Sequence, residues 1–122
     1  MIEHHWLREH AILEIVPRWP LTSVDFTSLA AQIDPVIAEH GSLSGLLINA
    51  EDFAGWENFS ALVSHCVFVR SHHRHIHKIA VVSDQTLLGF MPRLVDHFVG
   101  AEVRPFAVSE KDQALDWLAR PG

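Results

Sequence analysis

The sequence predicts one α/β domain, residues 1–122, built on a mostly parallel sheet of four to five strands with about four helices. Three observations carry this expectation. Short aliphatic runs alternate with longer stretches whose apolar residues recur every three or four positions. Two of the runs, 45–50 and 78–83, are almost continuously apolar, as strands covered on both faces are. The 122 residues, 48% hydrophobic and 20% charged, suffice for one core without disulfide or metal staples.

Taken in order, Ala11-Ile12-Leu13-Glu14-Ile15-Val16 is a strand that stops at Pro17, and residues 2–7 form a preceding strand that pairs with it. Thr22 or Ser23 caps a helix with Asp25 in its first turn, where the dipole favours an acid. Phe26, Leu29, Ala30, Ile33, Val36 and Ile37 form its apolar stripe; Gly41 ends it, and Pro35 predicts a kink or local break. A second helix carries Trp56, Phe59, Leu62, Val63, Cys66 and Val69 on its inner side. A third, capped by Asp84, carries Leu87, Phe90, Met91, Leu94, Val95 and Phe98 and stops at Gly100. Residues 102–108 form a last strand, which Pro105 assigns to a sheet edge because it has no N–H for the ladder. Ser109 opens a final helix with Ala114, Leu115 and Leu118 inward and Trp117 near the rim.

Composition narrows the function classes. The net charge of −6, with nine Lys and Arg, is unsuited to a phosphate backbone, so no nucleic-acid partner is expected. No apolar run reaches the roughly 20 residues of a membrane span, and the opening Met1-Ile2-Glu3-His4-His5 does not resemble a signal peptide. A lone cysteine, Cys66, fits a reducing compartment, so the expected location is the cytoplasm.

The order of these pieces resembles the SpoIIAA-like family. Residues 46–50 are followed by Glu51-Asp52-Phe53-Ala54-Gly55-Trp56. After a His- and Arg-rich link comes Lys78-Ile79-Ala80-Val81-Val82-Ser83-Asp84. His97-Phe98, Ala101-Glu102-Val103-Arg104-Pro105-Phe106 and a closing Ala114-Leu115, Trp117-Leu118 complete the order. The resemblance implies the fold of STAS domains, related to the lipid-binding Sec14 (CRAL-TRIO) group, and a binding or regulatory role without catalysis or cofactor. Antagonists of anti-sigma factors with this fold are switched by phosphorylation of a serine after a central strand. Here the corresponding stretch from Glu51 to Trp56 has no hydroxyl before Ser60, so the phosphoswitch does not carry over.

The candidate sites follow from the same residues. Arg70-Ser71-His72-His73-Arg74-His75-Ile76-His77-Lys78 could seat a metal through His75 and His77, or a phosphate through its cations. No carboxylate or cysteine completes a ligand spacing, and a solvated cationic connection is the plainer reading, so no metal site is assigned. His65 and Cys66 diverge by about 100° on a helix, which leaves Cys66 a core residue rather than a nucleophile. Glu51, Asp52, Ser83 and Asp84 lie where central strands end, but turn and cap roles account for them. The third helix is apolar almost all round, adding Leu88 and Val99 to its stripe. Such an excess marks a partner or subunit surface. The expected partner- or ligand-binding residues are therefore Phe53, Trp56, Leu87, Leu88, Phe90 and Met91. The partner is a protein or a second copy of the chain, with a lipid-like small molecule as the alternative.

Overall fold

The computed structural model describes residues 2–8, 12–18, 21–40, 43–50, 76–83, 92 and 102–120, with the backbone alone at 37, 40, 43, 44, 76 and 77. Strands β1 (Ile2–Leu7), β2 (Ile12–Pro17), β3 (Leu43–Ala50), β4 (Ile76–Ser83) and β5 (Glu102–Ala107) form one sheet in the order β1-β2-β3-β4-β5. Helix α1 (Ser23–His40) joins β2 to β3, and a 3-10 turn (Val108–Glu110) leads from β5 into helix α2 (Lys111–Ala119). β1 runs antiparallel to β2, with His5 opposite Glu14; every other neighbouring pair is parallel.

Successive strand side chains point to opposite faces, and the sheet here buries both. On one face Ile12, Leu47, Ala80 and Val82 pack with Ala114, Trp117 and Leu118 of α2, with Leu7, Phe106 and Leu115 half-buried around them. On the other, the alternating positions Leu13, Ile15, Leu46, Ile48, Ile79 and Val81 are buried as well. A connection between parallel neighbours must cross one face of the sheet. With the first face taken by α2, α1 lays its buried Leu29 and Ile33 over the second. Burying one such aliphatic side chain contributes about 2 kcal/mol, so the two layers account for most of what holds the described fold together.

Local chemistry sets the element ends. The Thr22 backbone N–H and hydroxyl both donate to Asp25 Oδ2, at 2.8 and 3.2 Å, and the Asp25 N–H returns to the Thr22 carbonyl at 3.1 Å. This reciprocal cap starts α1. The same hydrogen bond from the Thr22 backbone holds the Asp25 carboxyl below its ordinary value. α1 then runs through Pro35 without the expected break. Pro35 is exposed, so its ring faces solvent and the helix loses one internal hydrogen bond without losing its packing.

Several expectations are corrected. The last helix starts at Lys111 rather than Ser109: the Ala107 N–H donates to Glu110 Oε1 at 2.8 Å, which closes a 3-10 turn first. Trp117 is buried at 6% exposure instead of lying near the rim, whereas Leu115 is only half-buried. β4 begins at Ile76, earlier than Lys78, and β5 ends at Ala107. Two α-helices are described, not about four. The expected second and third helices fall outside the described residues, apart from a single helical position, Pro92.

Candidate functional site: a charged cleft at the carboxyl edge

The middle of β2 holds the least expected side chain in the sheet. Ile12, Leu13 and Ile15 are at most 2% exposed, and Glu14 among them is 4% exposed. Burying a carboxylate costs several kcal/mol unless it is paired and hydrogen-bonded. Glu14 has both kinds of partner: Lys111 Nζ lies 2.7 Å from Oε2, and Asn49 Nδ2 donates to the same oxygen at 3.2 Å. The alternation that sends Ile12 toward α2 sends Glu14 there too, and Asn49 follows Leu47 on the same face. α2 begins above the carboxyl ends of the strands, so its first residue, Lys111, reaches down to the acid.

β1 completes the site. Its register places His5 directly opposite Glu14 and Glu3 opposite Val16. Arg18, just after β2, donates to Glu3 Oε2 at 3.5 Å, and His5 Nε2 stands 3.9 Å from that oxygen. Glu3, His5, Glu14, Val16, Pro17, Arg18, Asn49 and Lys111 together line a cleft of about 300 Å³. Its floor is the buried Glu14; its mouth carries the half-exposed Arg18 and the 40% exposed Lys111 side chain. The outlet lies beyond the carboxyl ends of β2 and β3, where open α/β sheets commonly hold ligands.

A second buried charge lies at the opposite end of α2. Lys78, 7% exposed, donates through Nζ to the carbonyls of Trp117 and Arg120 at 3.1 and 3.0 Å. These are last-turn carbonyls, whose partial negative charge suits an ammonium. The same nitrogen stands 5.4 Å from the centre of the Trp117 ring, and the Arg104 guanidinium lies 5.7 Å from it. Phe106 meets that indole at 5.8 Å. This cluster is sealed by its own contacts, whereas the Glu14 cleft is open to solvent.

None of the binding residues expected from the sequence, Phe53, Trp56, Leu87, Leu88, Phe90 and Met91, lies among the described residues; nor do Glu51, Asp52, Cys66, Asp84 and His72 to His75. Ser83 is buried at the end of β4, where alternation turns it with Ile79 and Val81 away from the cleft. Among the described residues no group of three or more His, Cys, Asp and Glu is arranged to hold a metal. Glu14, Asn49 and Lys111 are not among the site residues expected from the sequence. An acid centred in an apolar strand was the available signal, since a buried charge calls for a partner.

Five strands in sequential order, one reversed at the edge, with helices on both faces, define an α/β sandwich with a mostly parallel sheet. The SpoIIAA-like family profile matches residues 12–119, and the chain belongs to that family. Among solved structures it is similar to an uncharacterized protein from the DUF3478 family with a SpoIIAA-like fold, from Shewanella loihica. The two share 18% identity with a TM-score of 0.68, over 98% of this chain and 93% of that one. At that identity the likeness concerns the fold alone. No curated protein matches the chain.

Proposed function

We propose that the chain is a non-catalytic binding or regulatory module of STAS-like type, acting through an apolar surface made by Leu87, Leu88, Phe90 and Met91 with Phe53 and Trp56. Its partner in this reading is a second copy of itself or another protein. The carrying observation is the position of β5 as the last strand of the sheet. Residues 84–101 connect β4 to β5, and among the described residues no further strand lies beyond β5 to absorb apolar side chains. An apolar excess in that connection is then available to a partner. Family membership supports the reading at the level of architecture.

Light scattering on Leu88→Asp and Phe90→Asp tests it. The native chain should self-associate, and both variants should shift toward monomer with their helical circular dichroism intact. A native chain that stays monomeric at every concentration and captures no protein partner would remove the reading. An apolar molecule retained in native mass spectrometry would replace it with the carrier alternative.

A further inference from the structure

We infer that the cleft bounded by Glu3, His5, Glu14, Arg18, Asn49 and Lys111 binds a small zwitterion, a molecule carrying one ammonium and one carboxylate. Stability alone does not account for these residues. Glu14 occupies a position whose strand neighbours are fully apolar, and replacing a buried ion pair with hydrophobic residues is commonly neutral or stabilising. Its partner, Lys111, stands at the first position of α2, where the helix dipole disfavours a cation. Both features oppose folding economy and are retained together at one opening.

The chemistry of the opening selects the ligand class. Two carboxylates, Glu3 and Glu14, and two cations, Arg18 and Lys111, share one cleft of about 300 Å³. That is the lower limit of small-molecule pockets. An anion alone would meet both acids and a cation alone both bases, whereas a ligand with both signs opposes each with its complement. Lys111 and Glu14 already hold one another at 2.7 Å, so the ligand's charges add to a preformed pair and exploit the remaining ammonium donors and carboxylate lone pairs. His5, across from Glu14, adds a ring nitrogen on the β1 side.

Amide chemical-shift titration of the full chain with L-alanine, β-alanine and γ-aminobutyrate tests this, with acetate and ethylammonium as single-sign controls. At least one zwitterion should give saturable shifts at His5, Glu14, Val16, Asn49 and Lys111, and neither control should match it. Glu14→Gln and Arg18→Gln should each weaken binding about tenfold, the loss expected for one charge-assisted contact. Should Glu14→Gln fail to fold, the exposed Arg18→Gln and the half-exposed Glu3→Gln carry the test. Absence of saturable shifts at the highest soluble concentrations would overturn the inference. So would acetate or ethylammonium binding as well as the zwitterion, or affinity untouched in the Arg18 and Glu3 variants. Association through the apolar surface is read separately by light scattering, so the two proposals stand or fall independently.

Discussion

Lys78 and Glu14 are side chains of opposite sign that the sheet buries beneath the same helix, at opposite ends. Lys78 donates to the Arg120 carbonyl and shares the Trp117 carbonyl with the Arg120 backbone N–H, and a hydrogen bond from a charged donor contributes about 2 kcal/mol. Lys78→Met, which keeps the stem and deletes the ammonium, should lower unfolding free energy by about that amount in urea titration. A loss below the error of the method would mean that the carbonyls are equally served by water. At the other end, Lys111→Met strands a buried carboxylate and should cost more than the double change Glu14→Leu with Lys111→Met. A double-mutant cycle in urea, with Glu14→Leu as the other single change, reads the coupling, and a double loss equal to the sum of the two single losses would show that the pair is not coupled. His4, on β1, is held below its ordinary value by burial and then by the neighbouring His5 charge. Between that lowered value and 6.5 the unfolded chain binds the proton more readily, so stability falls as pH drops through this window. His4→Gln should flatten the fall in melting temperature between neutral pH and pH 5; an unchanged slope would place the effect elsewhere.

At the scale of elements, α2 is held by shape as well as charge. A Cβ built on Gly45 of β3 would lie 2.6 Å from Leu118 Cδ2 and 2.9 Å from Leu118 Cβ. Because the second atom is fixed to the helix backbone, the helix must shift rather than the side chain rotate. Gly45→Ala should therefore destabilise by about 1–3 kcal/mol, the range for overpacked cores. Leu118→Ala should relieve it only in part, since it retains the Cβ; full recovery in thermal unfolding would contradict the contact. The elements themselves were legible because periodicity and turn chemistry are local: Pro105 marked β5 as an edge, and Asp25 marked the start of α1. Burial of Trp117 was not legible, because an indole near a helix end is drawn inward by Lys78, Arg104 and Phe106, which are remote in sequence. The cleft was missed for the same reason. Glu3, Glu14, Asn49 and Lys111 come from four separated segments, and only the register of β1 on β2 and the return of α2 bring them together.

For the whole molecule, ten histidines and a charge of −6 at neutrality place the isoelectric point near 5.9. Modest acidification removes the net charge that keeps copies apart. Solubility should pass through a minimum near pH 6 and recover on either side, as turbidity against pH would show; a flat profile would mean that patches rather than net charge govern association. Among the described residues no helix is long and apolar enough to cross a membrane.

The helix that closes one side of the sheet follows all five strands in the chain. Among the described residues, it is Ala114, Trp117 and Leu118 of this helix that cover Ile12, Leu47, Ala80 and Val82. A translation product that stops at Glu110 should thus present bare aliphatic surface to chaperones and proteases. Quality control in the cell would then sort molecules by whether this turn-and-helix has docked.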